Sequence, residues 1–194
     1  QREYLLKIIS TEEQVIRREW IKYYDAISEK KFHDWSATGI DLAISQADTA
    51  DFTAMVSGHI RNAYLDADIY ILPNPVNKRL TSLETIDRAK QISDSLFRGR
   101  LYIEDVGYQG SIVEHLKKDG YPAVGVKVYG MDKRARLASV SYLVQSGRVL
   151  FPRQGAEELI EQLVGFGSEK HDDLSDAFAI LLAKVAEDSK RSRC

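Results

Sequence analysis

The stretch His171-Asp172-Asp173-Leu174-Ser175-Asp176-Ala177 places three carboxylates within five residues, at the mouth of an apolar run from Phe178 to Ala183. If the run is helical, Asp172 and Asp176 are four apart and Asp173 and Asp176 three apart. Both spacings put side chains on one face of the first turn. Free backbone N–H groups and the helix dipole favour negative charge there, so N-capping by Asp172 or Asp173 is the plain structural explanation. A cap, however, uses one carboxylate. Three that converge repel one another unless protons or a cation neutralise them. On this stretch alone, capping and metal binding both stand.

A second acid lies in a less ordinary place. Ala37-Thr38-Gly39-Ile40-Asp41-Leu42-Ala43-Ile44 reads as a strand with apolar residues on both faces and Asp41 in its middle. A carboxylate buried in a strand costs several kcal/mol unless it is paired, protonated or bound to metal. The alternative is an Asp41 near the strand end that bonds a loop. Leu101-Tyr102-Ile103-Glu104-Asp105-Val106-Gly107 repeats the pattern, an apolar strand carrying acids at its exit before Gly107 and Gly110. Two strands and one helix start that each deliver carboxylates suit a hard cation such as magnesium, which takes oxygen ligands together with water and substrate phosphate.

The ordered set Gly39-Ile40-Asp41-Leu42-Ala43, Asp51-Phe52-Thr53-Ala54, Tyr102-Ile103-Glu104-Asp105, Lys133-Arg134-Ala135-Arg136 and His171 to Ala177 resembles the nuclease domain of the large terminase subunit, from about Ser36 to Lys184. Such subunits are the DNA-packaging motors of tailed bacteriophages. The resemblance implies an α/β, ribonuclease H-like fold, a mixed β-sheet flanked by helices. It implies two-metal endonuclease chemistry on double-stranded DNA, with Mg²⁺ or Mn²⁺. Carried over by position, the catalytic and metal-binding acids are Asp41, Glu104, Asp173 and Asp176, the last two spaced as in the related Holliday-junction resolvases. Asp105 beside Glu104, and Asp172 beside Asp173, leave each choice open by one residue, so Asp105, Asp172 and His171 are auxiliary candidates. The implied partners are an ATPase domain upstream in the full-length chain, the portal and the small terminase subunit. The implied location is the cytoplasm of an infected bacterial host.

Composition agrees with one compact domain. A chain of 194 residues with 44% hydrophobic and 29% charged residues can bury a core. A formal charge of −2 argues against binding nucleic acid by bulk electrostatics and leaves room for a local basic surface around an acidic cleft. The single cysteine, Cys194, excludes an internal disulfide and fits a reducing compartment. No apolar run approaches membrane-spanning length, so no membrane role is expected. The chain starts at Gln1 and holds no Gly-rich phosphate loop ending in Gly-Lys-Ser/Thr. It reads as an excised or processed piece, the cutting half of a motor. Residues 1–35 are expected to form a helical segment or linker, with apolar positions such as Leu5, Ile8, Ile16 and Trp20 over Arg2 to Asp25, and residues 36–194 the nuclease domain.

Within that domain, strands are expected at about Thr38–Ser45, Asp51–Arg61 and Tyr64–Leu72, with Pro73-Asn74-Pro75 stopping the pairing. Alternation follows: a helix near Ser82–Phe97, a strand at Arg100–Asp105, a helix near Ser111–Asp119, a strand at Ala123–Val128 and a helix near Lys133–Ser146. A short extended piece at Arg148–Pro152 precedes two closing helices. Lys127, Lys133, Arg134 and Arg136 bracket Gly130 at one strand-to-helix junction and are the candidate DNA-phosphate contacts. Singly, each reads more plainly as solvated surface charge. Lys78 and Arg79 fall in the proline-containing loop. Tyr108 and Gln109 suit either substrate contact or a loop role, and His33, His59 and His115 lack ligand-spaced partners.

Phosphodiester hydrolysis needs a nucleophilic water and a stabilised leaving oxygen on opposite sides of phosphorus, and two ions about 4 Å apart serve both ends. Asp41, on the central strand, is the candidate bridge between them. Without metal the acids repel, so a metal-free protein is expected to bind cations weakly until DNA phosphate is present. Rival readings are a Holliday-junction resolvase-like or transposase-like nuclease, and a catalytically silent docking module of a packaging motor. A sugar-kinase or actin-like phosphotransferase would need Gly-rich phosphate loops, which the sequence lacks. Metal-dependent plasmid cleavage separates enzyme from docking module, and branched against linear DNA separates resolvase from terminase.

Overall fold

The structure, a computed structural model, describes residues 14–42, 51–62, 66–105, 110–127, 131–167 and 172–191. After a 3₁₀ turn at Arg18–Trp20 come β1 (Lys22–Tyr24), β2 (Trp35–Leu42), β3 (Asp51–Arg61), β4 (Asp68–Ile71) and β5 (Val76–Leu80). They are followed by α1 (Ser82–Ser95), β6 (Arg100–Glu104), α2 (Gly110–Lys118), β7 (Ala123–Val126), α3 (Lys133–Gln145), β8 (Val149–Pro152), α4 (Glu157–Val164) and α5 (Asp173–Arg191). The strands form one eight-stranded mixed sheet in the order β1-β8-β4-β3-β2-β6-β7, with β5 paired to β3.

Alternation along the central strands decides which layer each side chain enters. Ile40 and Leu42 of β2, with Leu101 and Ile103 of β6, face a core that also holds Ile86 and Ala89 of α1 and Val113 and Leu116 of α2. Ala37 of β2 and Tyr102 of β6 face the opposite core, built with Leu137 and Val140 of α3, Leu159 and Leu163 of α4 and most of α5. Leu174, Ala177, Phe178, Ile180, Leu181, Leu182 and Val185 of α5 are all buried. A helix apolar on nearly every side is an interior helix. Here it lies against β2 and β3, with α3 and α4 packed on it.

Local signals start the helices where the sequence places them. Thr81 and Glu84 form a reciprocal capping box at α1, and Asp132 Oδ1 accepts from Ala135 N at the start of α3. The helices and strands from residue 82 onward follow the sequence expectation to within a few residues.

Two expectations are overturned. The helix expected over Arg2 to Asp25 is not what its described part forms: Lys22–Tyr24 is extended and pairs in parallel with Leu150–Pro152 of β8. Ile16 and Ile21 are buried in the core of α5. A tyrosine pair following an isoleucine suits a sheet edge, and pairing with β8 prevails over the helical spacing of the apolar residues. Residues 1–13 lie outside the described residues. The second correction is β5. Pro73-Asn74-Pro75 ends β4, with Asn74 at φ 61, but the chain then returns to the same neighbour. Gly58–Arg61 of β3 pairs with β4, and Asp51–Met55 of β3 pairs with β5. Lys78 and Arg79 are therefore strand residues, exposed on an edge.

Candidate active site

β2 and β6 run parallel, in register through Ile40↔Ile103. One residue beyond that pair, Asp41 and Glu104 emerge at the carboxyl ends of adjacent strands, where an open α/β sheet builds its sites. Both face the layer of α3, α4 and α5. Gly39, two residues earlier on the same face, lies against the backbone of Ala177 and Leu181 in α5. That close approach brings the first turn of α5, and with it Asp176, over Asp41.

The three acids of the resulting cluster are largely buried. Asp41 is 8% exposed and Asp176 2%, and the Glu104 side chain is 13% exposed. Asp41 hydrogen-bonds the Glu104 side chain. Burial, then that hydrogen bond and the neighbouring charge of Asp176, push the Asp41 carboxyl up to about 9, so it keeps a proton at neutral pH. Burial also raises Asp176, opposed by Lys133 and Arg136.

Two cations from the first turn of α3 enter the cluster. Lys133 Nζ lies 2.8 Å from Asp172 Oδ1 and 2.6 Å from Asp176 Oδ2. Arg136 bridges Glu104 Oε1 at 3.0 Å and Asp176 Oδ1 at 3.1 Å. Desolvation pulls the Lys133 ammonium down, but Asp172 and Asp176 together hold it above the usual lysine range. Despite its ion pair, Asp176 Oδ2 has no well-directed hydrogen-bond partner among the described residues, and Arg136 Nε has none either.

The start of α5 is fixed from below. Gln162 of α4, itself buried, accepts the Leu174 backbone N–H through Oε1 at 3.0 Å. Asp172 O accepts the Asp176 N–H, while its carboxylate meets Lys133. Further along α5, Asp188 Oδ2 accepts from the Tyr102 hydroxyl at 2.7 Å and from Arg100 at 3.1 Å, tying the helix to the strand that carries Glu104.

Asp41, Glu104, Asp172 and Asp176 thus come together with Lys133 and Arg136. Asp105 does not join them: it points into the other layer, where its Oδ2 stands 3.0 Å from a Cβ built on Gly125. Asp173 is half-buried at the first position of α5. Lys127 and Arg134 are exposed near the same strand-to-helix junction. His171, Tyr108, Gln109 and Gly130 lie outside the described residues. Gln162 and the Tyr102–Asp188 contact carried no sequence signal. Gly39 was visible only as part of a motif.

The family model described as a terminase RNaseH-like domain matches residues 38–184. The chain belongs to that family. The matched span of this terminase domain runs from β2 through α5 and so carries the whole acid cluster. Its fold is that of solved terminase nucleases. The large terminase nuclease from thermophilic phage G20c, in a crystal structure with bound zinc, superposes with a TM-score of 0.61 at 14% identity, covering 88% of this chain and 94% of that one. The human cytomegalovirus terminase nuclease domain, soaked with manganese, gives 0.61 at 12% identity over 92% and 98%. The nuclease domain of the large terminase subunit gp2 of bacterial virus Sf6 gives 0.54 at 12% over 87% and 98%. No curated protein matches the chain. No described helix of this terminase domain is long and apolar enough to cross a membrane.

The donor chemistry of the cluster fits a hard divalent cation. It offers carboxylate oxygens from β2, β6 and α5, one of them a buried oxygen without a directed hydrogen bond. As the side chains stand, no group of three acids or histidines among the described residues is arranged to hold an ion. The cationic heads of Lys133 and Arg136 bridge the acids instead.

Proposed function

We propose that this terminase domain is a two-metal endonuclease that cuts double-stranded DNA during viral genome packaging. The observation that carries the reading is the convergence of Asp41, Glu104 and Asp176, from three elements far apart in sequence, on one face of the sheet. A structural role does not call for three largely buried acids gathered at one place, which raises the energy of the metal-free fold. Membership of the terminase family, and solved relatives holding zinc or manganese, support the same reading.

Asp41, Glu104, Asp173 and Asp176 would hold the ions, Mg²⁺ or Mn²⁺. When bound, such ions supply an activated water and neutralise the leaving oxygen. The chain's residues do the rest. Asp41 sits on the central strand and would give up its proton on loading. Glu104 is held by Arg136, and the first turn of α5 is held by Gln162. Lys127 and Arg134, both exposed, would meet DNA phosphates, and contacts to phosphate carry little sequence preference. In the full-length chain we place an ATPase domain upstream, with the portal and small terminase subunit as partners, in the cytoplasm of the infected host.

The test is nicking and linearisation of supercoiled plasmid. Mg²⁺ or Mn²⁺ should support it, excess EDTA should stop it, and Asp41→Asn and Asp176→Asn should remove it with the fold intact. Cutting that survives EDTA would end the two-metal reading. Preference for branched over linear DNA would favour a resolvase-like nuclease.

A further inference from the structure

Asp176 has each of its carboxylate oxygens opposite a different cation: Oδ1 faces Arg136 and Oδ2 faces Lys133. An ion approaching Asp176 must therefore displace one of them. The two are not equivalent. The Arg136 side chain is 13% exposed and also holds Glu104, whereas that of Lys133 is 47% exposed. Lys133 is the first residue of α3, and the backbone beneath it is fixed by the Asp132 cap. Its four-carbon stem can swing without moving the helix, and its ammonium is a compact point charge of the kind a metal ion replaces.

We infer that Lys133 is a built-in counter-ion, which occupies the place of an incoming divalent cation in the metal-free protein and exchanges with it. The inference rests on the reading of the acid cluster as a cation site. Arg136 stays, keeping Glu104 and Asp176 at fixed separation. The released Lys133 ammonium moves to the solvent side, beside Arg134, where a DNA phosphate can receive it. Cation loading and substrate binding then favour each other: a phosphate that holds Lys133 outside leaves Asp176 open, and an ion on Asp176 frees Lys133 for phosphate. This gives a physical reason for a site that loads poorly without DNA.

The experiment is calorimetric titration with Mn²⁺ in the absence of DNA, with the melting temperature of each protein recorded with and without Mn²⁺. Lys133→Met should bind Mn²⁺ tighter than wild type by about tenfold, the scale of a charge-assisted contact the ion no longer has to break. Its metal-free melting temperature should fall, and saturating Mn²⁺ should close the gap to wild type. Arg134→Met removes the same unit charge one residue away and should change Mn²⁺ affinity by less than about twofold, as a rim charge does. If Lys133→Met is too unstable to titrate, Lys133→Gln keeps a donor for Asp176 without the charge and should show the same ordering. Affinity in the Lys133 variants no tighter than in Arg134→Met overturns the exchange. Asp176→Asn separates the two levels. Equal Mn²⁺ uptake by wild type and Asp176→Asn defeats the cation-site reading itself, whereas uptake lost in Asp176→Asn but indifferent to Lys133 defeats only the exchange.

Discussion

Gly39 in β2 lies directly under the backbone of Ala177 in α5: a Cβ at Gly39 would overlap the Ala177 carbonyl and stand 2.7 Å from Leu181 N. Asp41 is two residues from the first and Asp176 precedes the second, so this contact sets how near the two acids come. Gly39→Ala should destabilise the domain by about 2–3 kcal/mol through overpacking and lower the nicking rate. Gly58→Ala, whose nearest neighbour would be Tyr70 O at 3.3 Å, is the control. Urea melts and nicking rates on both variants check this, and wild-type nicking by Gly39→Ala would mean that the acid spacing is set elsewhere.

Stability of the metal-free protein should depend on pH through Asp41. Its folded carboxyl is raised to about 9, chiefly by burial, while in the unfolded chain it titrates in the ordinary range near 4. The folded state therefore binds the extra proton. The stability this contributes is complete below the unfolded value and is lost as pH rises through the folded one. Asp176, also raised, acts in the same direction. Melting temperature should fall by several degrees between about pH 6 and pH 9, at roughly 2–4 °C per kcal/mol for a domain of this size. Asp41→Asn should flatten that slope. An equal slope in both proteins would place the titrating group elsewhere.

Layer assignment predicts which acids matter for cutting. Asp41→Asn, Glu104→Gln and Asp176→Asn should each lower plasmid nicking by more than about a hundredfold, beyond what loss of an outer-shell partner does. Asp105→Asn, on the other face of the sheet, should keep most activity. Between the remaining pair, Asp173→Asn should be the more damaging and Asp172→Asn the milder, because Asp173 shares the first turn of α5 with Asp176 whereas Asp172 precedes the helix. The reverse order would make Asp172 the ligand.

Gln162 should behave as a remote support of the acid-bearing turn. Gln162→Leu keeps the volume but leaves the Leu174 N–H buried without its acceptor, at a cost of about 1–2 kcal/mol. Chemical denaturation measures that loss directly. A variant as stable as wild type would mean that the N–H finds another partner.

The legible parts of this site share one cause: a carboxylate is conspicuous in an apolar strand. Asp41 within Thr38 to Ile44, Glu104 at the exit of its strand and the acids before Phe178 were all marked by hydrophobic context. Choosing Glu104 over Asp105 required more, because alternation says that they face opposite layers but not which layer holds Asp41. The parallel register Ile40↔Ile103 supplies that. Lys133 and Arg136 were recognisable as a basic pair at a helix start. Their targets, Asp176 and Glu104, are distant in sequence, so solvated phosphate contacts were the natural expectation and ion pairs with the acids were not visible. β5 was hidden by Lys78 and Arg79, charges that edge strands tolerate. β1 was hidden because edge pairing with β8 is non-local, whereas the helical spacing of Ile16 and Trp20 is local.

The parallel pair β2–β6 and the interior helix α5 also order the birth of the site in time. A chain emerging from the ribosome presents Asp41 first and Glu104 next, and can set both at the strand ends once β6 has paired. Asp176 arrives only with α5, after every strand of the sheet has been made. Until that helix slides over Gly39, the nascent protein has Asp41 and Glu104 in place but neither of the ion pairs that Asp176 makes with Lys133 and Arg136. If the cluster cuts DNA as proposed, that activity is confined to chains in which α5 has docked.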